Sequence, residues 1–80
     1  MTAKQCRAAR HLLGWSAGQL GARALHAAAT VRNLEAGRHR PQRATILALR
    51  EALETAGIEF PPEGSDGPVL LRDEAARLAA

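Results

Sequence analysis

The side chains able to do covalent or metal chemistry are few: Cys6, His11, His26 and His39. A metal site needs several converging ligands, and a nucleophile needs a base and a group to orient that base. Cys6 and His11 stand five apart on what reads as one helix and share no face, while His26 and His39 fall in separate loops. No catalytic residue, no metal ligand and no cofactor site is expected from this set. A single cysteine also leaves no partner for an internal disulfide, which fits a reducing compartment.

The chemistry with more material behind it is that of the guanidinium groups. The net charge of +3 conceals a division of the chain. Residues 1–50 carry Lys4 and eight arginines against one acid, Glu35, a balance of +8. Residues 51–80 carry Arg72 and Arg77 against seven acids, a balance of −5. Such a split predicts a front that binds a polyanion and a segment that avoids it. By charge alone the polyanion is nucleic acid, an acidic membrane or an acidic protein.

Eighty residues provide one small core, and with 46% hydrophobic but only 2% aromatic residues much of that core is alanine, which favours thinly packed helices. The first residues lack a charged-then-apolar leader, and no apolar run approaches the ~18 residues needed to cross a bilayer, so a cytoplasmic protein without a membrane partner is expected.

The elements that must position the arginines are legible in local patterns. Thr2 with Gln5 reads as a capping box, and Cys6, Ala9 and Leu13 recur at helical spacing, predicting a helix from about Ala3 to Leu13 that Gly14 stops. Ser16 with Gln19 forms a second capping box, stapled by Trp15 and Leu20, for a helix from Ala17 to near Ala24. Trp15 is thereby assigned to the core rather than to stacking on a base. After a break at Leu25 and His26, Val31 and Leu34 mark the inner side of a third helix, about 28–36, closed by Gly37. A basic loop, Arg38 to Gln42, leads to a fourth helix, about Arg43 to Ala56, with Ile46, Leu49 and Leu53 on its buried stripe and Leu47 pointing away. Beyond Gly57, Ile58-Glu59-Phe60 alternates and Val69-Leu70-Leu71 is a short apolar run across a turn-rich stretch, which predicts a two-stranded segment. The division is thus 1–57 as the helical domain, 58–72 as a β appendage and 73–80 as a tail.

From Cys6 to Gly57 the sequence resembles the phage-repressor and Cro type of helix-turn-helix domain, often called XRE-like, and especially small bacterial members ending in a short β segment. The residues that carry the likeness are Arg7-Ala8-Ala9-Arg10, Leu13-Gly14-Trp15-Ser16, Leu20, Arg23-Ala24, Thr30 to Glu35 and Gly37. The resemblance implies a mostly α fold, four helices in a repressor-like arrangement with a short C-terminal β hairpin or segment. It also implies a DNA-binding transcriptional regulator that acts as a homodimer and is not an enzyme. The alternative is a protein-interaction module, an adaptor or inhibitor, on a repurposed version of the same fold.

In that family the third helix enters the major groove. Its outward positions here are Ala29, Arg32, Asn33 and Ala36, so Ala28, Ala29, Arg32 and Asn33 become the base-reading candidates. Arg32 reads guanine bidentately or grips a phosphate, Asn33 pairs with adenine, and the alanines offer methyl contact to thymine. Ser16, Arg38, His39, Arg40 and Arg43 are the phosphate-binding candidates, while Arg50 joins them or pairs with Glu54. The family pairs the positions of Arg10 and Glu35 in a structural ion pair between the first and third helices. The acidic C-terminal segment is the expected dimer element, because a lone two-stranded ribbon leaves edges that want a partner.

The turn departs from the family's pattern. Where relatives carry Gly, an apolar residue and a Ser or Thr cap, this chain has Leu25, His26 and Ala27. A left-handed Leu25 costs ~1 kcal/mol or more, and the missing cap at Ala27 about another 1 kcal/mol, so a remodelled turn is expected. Ala17 likewise lacks the amide that many relatives direct at DNA.

Overall fold

The computed structural model describes residues 1–38 and 40–73. It contains four helices followed by a short antiparallel pair of strands: α1 Ala3–Leu12, α2 Ala17–Arg23, α3 Ala28–Ala36, α4 Arg43–Thr55, β1 Ile58–Glu59 and β2 Leu70–Leu71. His39 and the tail residues 74–80 lie outside the described residues.

Both expected capping boxes form. The Thr2 hydroxyl accepts the Gln5 N–H at 3.0 Å while the Gln5 side-chain Oε1 accepts the Thr2 N–H at 2.9 Å. Ser16 and Gln19 repeat the exchange at 3.1 and 2.7 Å. Each box satisfies backbone donors that the first helical turn cannot pair internally, which fixes where α1 and α2 begin.

The turn between α2 and α3 is not remodelled to spare Leu25. Its φ is +60°, the left-handed value that glycine adopts without cost. The reason is in the backbone bonds: Leu25 N–H donates to Ala22 at 3.3 Å and His26 N–H reaches back to Gly21 at 2.8 Å. This is the Schellman closure, and it requires a left-handed residue at that point. The same pair of bonds ends α3, where Gly37 at φ +70° donates to Leu34 and Arg38 to Asn33, both at 3.1 Å. One closure is thus made with glycine and the other with a strained leucine. Ala27, at the N-cap of α3, makes no side-chain bond to that helix.

Within α2, Gly21 lets the turn fold back closely. A Cβ there would lie 2.6 Å from the His26 carbonyl oxygen and 3.1 Å from the Ala27 carbonyl carbon. Only a hydrogen at this position allows the α2–turn–α3 unit to close so tightly.

The core is built from Cys6 and Ala9 of α1, Leu20 of α2, Val31 and Leu34 of α3, Leu49 and Leu53 of α4, together with Ile58 and Val69. Ile46 is buried as well, and Leu47 is exposed. Trp15 packs half-buried against this core. Truncating Leu49 or Leu53 to alanine would cost about 2–5 kcal/mol, a large share of what so small a domain holds.

Ile58 pairs with Leu71 and Glu59 with Leu70. The two strands are integrated with the helices, since Ile58 and Val69 are core residues and the buried Gln5 amide of α1 donates to the Ser65 and Gly67 carbonyls at 2.8 and 3.0 Å. The ribbon is stabilised by its own chain, so instability of a free ribbon gives no reason to assign it a dimer contact.

Candidate nucleic-acid interface

α3 turns Val31 and Leu34 into the core, so its remaining faces are fixed. Ala29, Arg32 and Ala36 are exposed, and Ala28 and Asn33 are half-buried. The start of α2 lies against the start of α3: a Cβ on Gly18 would meet the Ala28 methyl and the Ser16 hydroxyl oxygen, each at 3.8 Å. Ser16 and Ala28 therefore both approach Gly18. The Ser16 oxygen already accepts from Gln19, but its hydroxyl hydrogen remains a donor for an outside acceptor.

The orientation of α3 is held by a clamp on α1. Arg10 meets Glu35 with two parallel bonds, Nη2 to Oε1 at 2.8 Å and Nε to Oε2 at 3.0 Å. Its third nitrogen, Nη1, donates to the Trp15 carbonyl at 2.9 Å, tying the α1–α2 connection into the same group. The side chains are 15% and 10% exposed, so this is a shielded, bidentate pair rather than a screened surface one. The hydrogen bond to Glu35 raises the Arg10 pKa further above its ordinary value.

Cys6 completes the cluster, its Sγ 3.6 Å from Glu35 Oε2. Burial first, and then the Glu35 charge and the bond to it, push the thiol up to about 12. Such a thiol is neutral and inert at physiological pH. Among the described residues no three of His, Cys, Asp and Glu come together to hold a metal ion, and no helix is long and apolar enough to cross a membrane.

The basic stretch follows directly from the end of α3. Arg38, Arg40 and Arg43 are exposed, while His39 falls outside the described residues. Arg40, Arg43 and Arg50 line one groove of about 290 Å³ with Met1, Leu47 and Glu63. Glu63 is the residue that the sequence did not reveal there. Its Oε1 lies 3.9 Å from Arg43 Nη2, in a pair exposed at 68% and 81% that water screens almost completely. Arg43 is therefore available to an outside anion.

Arg50 is engaged within the protein. It pairs with Glu54 at 3.6 Å one helical turn on and lies over the Phe60 ring at 4.9 Å. Arg23 likewise covers the Trp15 ring at 5.1 Å, which occupies one face of the indole. The Arg50–Glu54 pair was legible at helical spacing, but neither ring contact carried a signal along the chain, because each joins residues of separate elements or loops.

The structure thus sets Ser16 and Ala28 around Gly18, clamps α3 through Arg10 and Glu35, and leaves Ala29, Arg32, Arg38, Arg40 and Arg43 exposed. No model of a protein family and no curated protein matches the chain.

Proposed function

We propose that this chain is a helix-turn-helix transcriptional regulator that binds duplex DNA sequence-specifically as a homodimer, with α3 in the major groove. The observation that carries the reading is the presentation of α3. It is held to α1 by a shielded bidentate ion pair, turns Arg32 and Asn33 away from the core, and is followed at once by the exposed Arg38, Arg40 and Arg43. A rigidly seated helix with polar outward side chains is what groove readout needs, and adjacent guanidinium groups supply register and affinity on the phosphates.

Arg32 and Asn33 read base edges on this proposal, with Ala28 and Ala29 giving methyl contact. Ser16, Arg38, Arg40 and Arg43 hold the backbone. Two copies would set their α3 helices about 34 Å apart, on successive major grooves. With only two long polar side chains at the reading positions, DNA shape contributes to site choice.

Fluorescence titration of selected and random duplexes over a range of salt tests this. DNA binding gives a steep fall of affinity with salt. Arg43→Ala should weaken all duplexes alike and reduce the salt slope by about 1, whereas Arg32→Ala and Asn33→Ala should cost about 1–3 kcal/mol on the preferred sequence and relax its selection. Indifference to every duplex at low salt refutes the proposal and leaves the protein-interaction reading.

A further inference from the structure

We infer that the groove between the end of α2 and the outer side of α4 is a self-association surface, filled by Leu25 of a second copy of this chain. The groove holds about 410 Å³. Ala24 at the C-cap of α2 and Ala48 and Ala52 of α4 line it with small side chains. Arg23 of α2, Glu51 of α4 and Leu25 line it as well.

Leu25 is the residue whose side chain the fold does not explain. It is 92% exposed and held at φ +60°. The closure of α2 uses only its backbone, and the identical closure of α3 is made by Gly37. The isobutyl group therefore adds strain without entering the chain's own core. Strain of this kind persists where it serves a function, and an apolar side chain presented to water at such a point is a contact waiting for a partner.

The nature of the partner follows from what this one patch contains. An isologous contact requires a single surface to carry both halves of every interaction. Here an exposed leucine, an alanine-lined furrow, a cation and an anion share one patch. A two-fold rotation places each Leu25 over the other copy's groove and each Arg23 against the other copy's Glu51. A different protein would need neither complement on the same patch. This surface rests on the homodimer proposed above and names its contact; none of Arg32, Asn33, Arg38, Arg40 or Arg43 lines the groove, so a dimer insensitive to Leu25 would overturn the contact and leave the DNA reading standing.

Sedimentation equilibrium of the full chain from micromolar to millimolar concentration tests it. The unmodified chain should show a monomer–dimer equilibrium. Leu25→Gly should weaken that dimer by about tenfold or more without lowering the melting midpoint of the dilute monomer, since glycine relieves the left-handed strain. Arg23→Glu and Glu51→Arg should each weaken association, and the double exchange should restore it. A chain that stays monomeric throughout, a dimer untouched by Leu25→Gly, a monomer destabilised by that change, or a double exchange that restores nothing would overturn the assignment.

Discussion

Replacing Gly21 by alanine sets two effects of opposite sign against each other. In a helix interior, glycine to alanine ordinarily stabilises by up to about 1 kcal/mol. At Gly21 the new Cβ would lie 2.6 Å from the His26 carbonyl oxygen and 3.2 Å from that of Ala27, both rigid backbone atoms of the turn. Ordinary contact begins at 3.4 Å, so the turn must retreat by most of an ångström. That retreat strains the 2.8 Å bond from His26 N–H to Gly21 and shifts the entry of α3. Overpacking of this kind costs about 1–3 kcal/mol, which exceeds the propensity gain. Gly18 is the internal control: it sits in the same helix, and a Cβ there meets nothing nearer than 3.8 Å. Gly18→Ala should therefore stabilise and Gly21→Ala destabilise, a separation of roughly 2 kcal/mol or about 10 °C in melting midpoint for a domain this small. Thermal and urea denaturation followed by circular dichroism measure it. A Gly21→Ala variant as stable as Gly18→Ala would refute the argument that backbone approach fixes the turn.

Arg10→Met should destabilise by about 3–5 kcal/mol, because it strands the shielded Glu35 carboxylate, and Arg10→Met with Glu35→Leu should recover much of that loss in the same denaturation assay. Ala27→Ser supplies the missing N-cap of α3 and should add about 1 kcal/mol to stability by urea titration. Cys6 gives a pH dependence: its folded pKa is raised from 9.0 to about 12, so above pH 9 the unfolded chain releases a proton that the folded chain keeps. Stability should then fall as pH rises from 9 towards 12, by up to a tenfold change in the folding equilibrium per pH unit. Cys6→Ala should flatten that slope, and a folded chain whose thiol reacts with a disulfide reagent at pH 8 as fast as the unfolded chain would contradict the burial on which the expectation rests.

Much of the fold is written in short-range patterns. Thr2 with Gln5 and Ser16 with Gln19 start helices through bonds three residues apart, and the Ile46, Leu49, Leu53 stripe lies within one element. At residue 25 the cost of a left-handed leucine was legible but the outcome was not: the turn keeps that geometry instead of being remodelled, because the closing bonds of α2 demand it. Arg32, Asn33 and the arginines after Gly37 stand out by helical spacing, charge and resemblance alone.

Other features depend on residues that meet only after the chain has folded. Gln5 reads as a cap residue, yet its other end is anchored sixty residues away on the carbonyls of Ser65 and Gly67. Ile58 and Val69 look like parts of a separate ribbon and prove to be core. Glu63 beside Arg43, Phe60 beneath Arg50 and the carbonyl that crowds Gly21 have no local signature. Residue types and their spacing set where helices start, stop and turn their apolar sides, because those depend on bonds within a turn or two. Which side chains share a groove, a clamp or a close backbone approach was decided by packing, which draws on contacts between distant segments.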